Sequence, residues 1–334
     1  MRMKIIVHKI GNKILAEGME LSDELLQLDE TQSDLMHDFF LGSFKSEETY
    51  HFYSDTYLIN NPIYKAVKGL FAPGADLIYW SKNIARILYD TAEHPRIQGG
   101  ELFVAFFPSQ NENDVDKIGI FKTEKRESFL KVFPNDTDPI EVDKGISLAK
   151  IDKAALIYDK DKENGYVLSV VDNNKNGDMY YWFEDFLKVK QRTDDYFHTQ
   201  ESLAVFKDYI KKQLPAEFEV SKADQADFLN KSLKFFKEKE EFKMEEFLNE
   251  VLADEQVIES FSNFKTDYEQ DMQINIAEEF PISESAVKKS QKHFKSIIKL
   301  DKNFHIYVHG DKTKLHQGQD ENGLFYKVYY EKES

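Results

Sequence analysis

The chain has 334 residues, 44 of them basic and 61 acidic, giving a net charge of −17, and it has no cysteine. That length accommodates one large or two moderate domains with buried cores and excludes a stapled mini-protein. The charge opposes non-specific contact with polyanions, and the missing thiols exclude disulfides, thiolate nucleophiles and cysteine-ligated zinc or iron–sulfur centres. No apolar run approaches the ~20 residues of a bilayer span, and Met1 to Gly11 lacks the apolar stretch and cleavage site of a secretory leader. A soluble, unexported, cytoplasmic protein with no membrane association is expected.

Met3 to Ile10 alternates and predicts a strand. Asp76 to His94 places Leu77, Trp80, Ile84, Ile87 and Leu88 at helical spacing and stops at His94-Pro95, so one helix is expected between strand-like segments. Gly99-Gly100 opens a series of short apolar runs: Leu102 to Phe107, Lys117 to Lys122, Ser128 to Phe133, Ala154 to Tyr158 and Gly165 to Val171. Most connections are too short for a crossover helix, which predicts an antiparallel meander and disfavours a Rossmann-type sheet. From Met179 the period lengthens to about 3.6. Helices are expected near Glu201 to Gln213, Lys222 to Lys237, Met244 to Leu252, Asp254 to Asn275 and Ser283 to Ile298, with Ser221 and Ser283 as N-caps. Strands return at Phe304 to His309 and, after an Asn322-Gly323 turn, at Leu324 to Tyr330. The expected fold class is α+β: an N-terminal antiparallel sheet with packed helices over 1–195, then a mainly helical domain over 196–334 ending in a small β-hairpin.

Few motifs carry chemistry. Asp172 to Asp178 resembles the start of a calcium loop, but Phe183 stands where the closing bidentate Glu is needed, so a turn on Asn176-Gly177 is expected instead. Gly69 and Gly74 have phosphate-loop spacing, yet Ala75-Asp76 occupies the Lys and Ser/Thr positions, where an acid repels phosphate. His305 and His309 on a strand would lie roughly 13 Å apart, too far to share an ion. Glu238, Glu240, Glu241, Glu245 and Glu246 are expected to form a solvated helix face. No catalytic residue, metal ion or cofactor is expected.

The charge anomaly is Ser285 to His316. Here Lys288, Lys289, Lys292, Lys295, Lys299, Lys302, Lys312 and Lys314 are set against Asp301 and Asp311 alone, a local +6. On a helix from Ser283 to Ile298, Lys288, Lys292, Lys295 and Lys299 would form one outward stripe while Val287, Phe294 and Ile298 turn inward. Such a row would neutralise phosphates and release their counterions. The plain alternative is a Lys-rich surface helix that relieves repulsion from the acidic remainder. The chain has 39 Lys and 5 Arg, none of the Arg after Arg192. Base-edge and narrow-groove recognition recruit Arg, so backbone contact with little sequence specificity is expected.

Five segments in order carry a family resemblance: Gly99-Gly100 before the run to Phe107; Ile146 to Asp152; Tyr181 to Leu187; the Leu203 to Ile210 helix; and Phe280-Pro281 ahead of the basic segment and Phe304 to Val308. Together they resemble the bacterial nucleoid-associated protein family NdpA, also called YejK, over most of the length. The resemblance implies soluble, acidic proteins of the nucleoid that bind DNA, with topoisomerases as protein partners. It transfers no DNA-contacting residue, so the expected site stays with the eight lysines, and homodimerisation is left open. The alternative function is an acidic interaction module that engages a nucleoid enzyme such as a topoisomerase. A third is a metal-dependent phosphodiesterase built on Asp and Glu ligands.

Overall fold

The computed structural model describes residues 3–133, 140–173, 180–294, 297–300, 302–308 and 314–332. The chain divides into two compact units, Met1–Arg192 and Thr193–Ser334. The first runs β1 (Lys4–Ile10), β2 (Met19–Glu20), α1 (Glu30–Leu41), β3 (Tyr50–Phe52), α2 (Pro62–Leu70), α3 (Leu77–Thr91), β4 (Gly100–Phe107) and β5 (Lys117–Thr123). It continues with β6 (Glu127–Val132), β7 (Ile140–Gly145), β8 (Lys153–Tyr158), β9 (Val167–Asp172) and β10 (Val189–Gln191). Eight of these strands form one antiparallel sheet in the order β10-β3-β9-β8-β5-β4-β1-β2. The expected meander is its centre: β4 pairs β5 from Glu101↔Thr123 to Phe107↔Lys117, and β5 pairs β8 from Lys117↔Tyr158 to Lys122↔Lys153.

Side-chain alternation gives this sheet two apolar faces. Ile6, Leu102, Val104, Ile118, Ile120 and Ile157 share a core with Ile63 and Val67 of α2 and Ile84 and Leu88 of α3. Ile5, Phe103, Ala105, Phe107, Phe121 and Leu156 go into a second core with Phe39 and Phe40 of α1, where Phe40 stacks on Phe121 at 4.0 Å between centroids. Three helices therefore stand where one was expected. α1 buries only Phe39 and Phe40, so its periodicity is weak, and its signature is instead the capping box of Asp29 and Gln32. α2 begins at an Asn61 cap followed by Pro62. Gly100 has no substitute, because a Cβ there would collide with the Thr123 carbonyl oxygen across the β4–β5 ladder.

The second unit is mainly helical: α4 (Asp195–Asp208) and a π-type turn to Gln213, α5 (Leu214–Glu217), α6 (Lys222–Glu238), β11 (Glu241–Lys243), α7 (Met244–Val251), α8 (Glu255–Met272), β12 (Glu279–Pro281) and α9 (Glu284–Ser290). Three of the five expected helices match these spans within three residues; the first, Glu201 to Gln213, begins earlier, at Asp195, and the last, Ser283 to Ile298, does not form as expected. Phenylalanines dominate the core. Phe242 stacks on Phe236 at 5.1 Å and on Phe280 at 4.7 Å, which ties the β11–β12 pair to α6. Two hairpins end the chain, β13 (Ile297–Leu300) with β14 (Phe304–Tyr307) and β15 (Leu315–Asp320) with β16 (Gly323–Val328), where one was expected. No helix among the described residues is long and apolar enough to cross a membrane. The Asn176-Gly177 turn and the rest of the calcium-like loop from residue 174 lie outside the described residues.

In the first unit, His8 on β1 is 1% exposed. Its Nδ1 accepts the Ser22 N–H at 3.1 Å, so the neutral ring carries its proton on Nε2 and donates to Ser81 Oγ at 2.9 Å. Burial, then the Lys82 and Arg86 charges, lower its pKa from 6.5 to about 4. Below pH 6.5 the unfolded chain takes up a proton that the folded chain refuses, so this stability is present at neutral pH and is lost as pH falls toward 4. Urea titrations should show His8 costing roughly 2 kcal/mol between pH 7 and pH 5. His8→Gln should flatten that decline, and an unchanged slope would overturn the assignment.

Candidate nucleic-acid interface

The basic segment begins where Pro281 ends β12. Ser283 caps α9, its Oγ accepting from the Ala286 N–H at 3.3 Å while its own N–H donates to Thr199 Oγ1 at 3.0 Å. Ala286, Val287 and Ser290 are buried, and α9 stops at Ser290 with one 3₁₀ turn, Gln291–His293, behind it. The expected helix to Ile298 is thus corrected to a short helix, a turn and a strand. The apolar positions are the reason. Val287, Phe294 and Ile298 are all buried, as the periodicity required, but Ile298 reaches its place from β13, opposite Ile306. Adjacent β-branched Ile297 and Ile298 favour that extended conformation over a further helical turn.

The four-lysine helical stripe is therefore not formed. Lys288 and Lys289 sit in the last turn of α9, Lys292 in the 3₁₀ turn, Lys299 on β13 opposite His305, Lys302 in the β13–β14 turn and Lys314 just before β15. Lys295 and Lys312 lie outside the described residues. Lys292, Lys299 and Lys302 are exposed. Lys288 Nζ lies 3.2 Å from Glu284 and Lys314 Nζ 2.6 Å from Glu331, both in solvent, and the Lys289 ammonium is 5.5 Å from the Tyr196 ring centroid. Exposed ion pairs contribute about 0–1 kcal/mol. Such weak pairs do not tie the ammonium groups down, and a phosphate can take the place of either carboxylate at little cost.

The final hairpin adds groups that the charge count missed. On one face Phe325 lies over Gly318, His316 meets Tyr329 edge-on at 5.5 Å, and Lys327 Nζ is 5.0 Å from the Tyr329 centroid. The signal in the sequence was the alternation Phe325, Lys327, Tyr329 after the Asn322-Gly323 turn. Aromatic faces interleaved with cations can stack on bases as well as meet phosphates. The same unit holds a groove of about 800 Å³ lined by Asp208, Glu217, Glu259, Asp267 and Asp271, with Lys212 the single cation among its lining residues.

The first unit contains a buried charged network of a different kind. Lys122, 2% exposed, donates from Nζ to the Gln98 carbonyl at 2.6 Å, to Glu124 at 2.9 Å and to the Tyr181 hydroxyl at 3.0 Å. Tyr181 donates to Glu124 at 3.0 Å, and Lys153 pairs with Asp172 at 2.6 Å while lying over the Tyr181 ring. Burial pulls the Lys122 ammonium down and the Tyr181 hydroxyl well up, with Glu124 working against the first and adding to the second. Glu124 is held below its usual range despite burial, because Lys122 faces it. Mutual satisfaction of this sort is the pattern of a structural network. Among the described residues no group of three or more His, Asp or Glu is placed to hold a metal ion. Lys122→Met strands a buried carboxylate and should destabilise the chain by roughly 3–5 kcal/mol in urea unfolding. A loss below about 1 kcal/mol, the scale of an exposed pair, would overturn the pairing.

Across both units, residues 6–327 match the family model of the nucleoid-associated protein YejK. No curated protein matches the chain.

Proposed function

The chain belongs to the family of the nucleoid-associated protein YejK, and on that premise we propose that it binds duplex DNA through backbone phosphates, with little sequence specificity and no catalysis. The observation that carries this proposal is the local +6 of Ser285 to His316 in a chain of −17, with Lys292, Lys299 and Lys302 exposed. A lysine is a compact point charge that meets any phosphate, and no Arg follows Arg192 to read a base edge. The same proposal places the protein in the cytoplasmic nucleoid and treats 1–195 and 196–334 as separate folding domains, with the cationic surface confined to the second.

A salt-titrated binding isotherm tests it. Five engaged lysines give a log–log slope near −4 to −5 on duplex DNA. Replacing Lys288, Lys292, Lys299 and Lys302 by Gln should weaken binding and cut the slope by roughly 3 to 4. Unchanged affinity and slope would reject the lysine surface.

A second role is supported by the acidic groove: a protein-interaction module that engages the basic DNA-binding face of a nucleoid enzyme such as a topoisomerase. Retention of such an enzyme after nuclease digestion, with no direct duplex binding at ~50 mM salt, where phosphate contacts are strongest, would favour it over direct binding.

A further inference from the structure

The two C-terminal hairpins each turn one face toward the helices of the second unit and the other toward solvent. In β13–β14 the register pairs Ile298↔Ile306 and Lys299↔His305. Ile298 is buried, and β13 packs on α6. Alternation therefore sends Lys299, His305 and Tyr307 outward, Tyr307 being 57% exposed. In β15–β16 the half-buried side chains Leu315 and Tyr326 share a face. The Tyr326 hydroxyl donates to Gln317 at 3.2 Å, and burial followed by the Asp224 carboxylate pushes its pKa up, so this face also looks toward α6. Asn230, six residues further along that helix, donates from Nδ2 to the Val308 carbonyl at 3.3 Å. Six helical residues span roughly 9 Å, so the hairpins stand side by side along α6.

The outward face of β15–β16 carries Lys314, His316, Phe325, Lys327 and Tyr329. A Cβ on Gly318 would stand 2.5 to 3.0 Å from the three atoms at the tip of the Phe325 ring. Gly318 thus lets that ring lie flat on the sheet, with one π face against the backbone and the other toward solvent. Phe325 is 40% and Tyr329 49% exposed. Four residues of strand set the two rings roughly 13 Å apart, with Lys327 between them.

We propose that this surface stacks unpaired DNA bases, so that the chain holds single-stranded stretches by their bases as well as by their phosphates. This rests on the nucleic-acid binding proposed above, which supplies the phosphate contacts, and adds a class of substrate to it. In a duplex the base faces cover one another and no outside ring reaches them; in an unpaired strand they are free to swing onto an aromatic side chain. Every base has a π face, so stacking needs no Arg to read an edge, and none follows Arg192. Lys299, Lys314 and Lys327 beside the rings meet the phosphates between the bases. A protein partner laid across the same rings would strip water from Lys327 and would have to supply an anion at that one point. A nucleic-acid strand carries an anion at every step.

Fluorescence anisotropy at ~50 mM salt, where phosphate contacts are strong, tests the proposal with two labelled strands. One is an oligothymidylate of about 16 nucleotides, the length of a compact single-strand site; the other is an abasic strand with the same phosphates and no bases. The unaltered chain should bind the oligothymidylate more tightly, by about 5- to 150-fold for each base stacked. Phe325→Leu with Tyr329→Leu keeps apolar bulk without a ring and should bring the ratio of the two affinities to about one. Phe325→Trp with Tyr329→Trp should retain the ratio, which separates stacking from a structural role. Replacing Lys288, Lys292, Lys299 and Lys302 by Gln should weaken both strands and preserve the ratio, so the phosphate contacts and the base contacts fail independently. Equal affinity of the unaltered chain for the two strands, or a ratio that survives in the double-Leu variant, would overturn the stacking surface.

Discussion

A sheet whose central strands are apolar on both faces must be covered on both, and the first unit is organised around that demand. β4 places Leu102 and Val104 on one side and Phe103, Ala105 and Phe107 on the other. Neither set can meet water without losing roughly 1.5–3 kcal/mol per large side chain. α2 and α3 close one side and α1 the other. The close approach of β4 to β5 then leaves no room for a Cβ at Gly100, and the network around Lys122 and Lys153 continues the same β5–β8 ladder. The β6–β7 hairpin alone lies outside the sheet, which is why its aliphatic face is left open.

The sequence showed the sheet because its signal is local. Runs such as Leu102 to Phe107 and Ala154 to Tyr158 are short, apolar and punctuated, and their spacing forbids crossovers, so the antiparallel meander followed. α1 and α2 were hidden for opposite reasons. α1 turns only two residues inward, whereas α2 is nine residues long and buries five of them, Ile63, Tyr64, Ala66, Val67 and Leu70, too short a stretch for its period to stand out. In the basic segment the inward positions Val287, Phe294 and Ile298 were legible, but the backbone that delivers them was not. A helix and a helix–turn–strand both bury the same three residues, and the β-branched pair Ile297-Ile298 together with the hairpin pairing to β14 decides for the strand, a signal that the helical spacing of the buried residues masked. The candidate site was therefore legible as composition and illegible as shape.

Mean charge and local charge act over different distances. In physiological salt the Debye length is about 8 Å, so a phosphate at the α9–β13 segment feels the lysines beside it far more than the acids of distant helices. The −17 still matters at long range, where it slows approach and discourages self-association over most of the surface. The proposed binding relies on segregation to reconcile the two, and the geometry changes its form from a single helical stripe to cations on a helix end, a turn and a hairpin. Such a set is less regular than a stripe and so less suited to tracking one groove, which accords with contact that carries little base-edge readout.

Lysine–glutamate pairs appear in this chain in two physical settings, and the contrast explains why some cations are available and others are not. Lys122 and Glu124 are 2.9 Å apart with side chains 2 and 5% exposed; Lys288 and Glu284 are 3.2 Å apart with side chains 72 and 86% exposed. The distances are nearly equal, and solvent makes the difference. In the interior the charges see little screening and separating them leaves each one stranded, so the pair is fixed and unusable for binding. At the surface the same attraction is reduced to the scale of thermal energy, and an arriving phosphate replaces one anion with another at little cost. In the proposed binding, Glu284 beside Lys288 would act as a replaceable counterion, giving way when a polyanion takes its place.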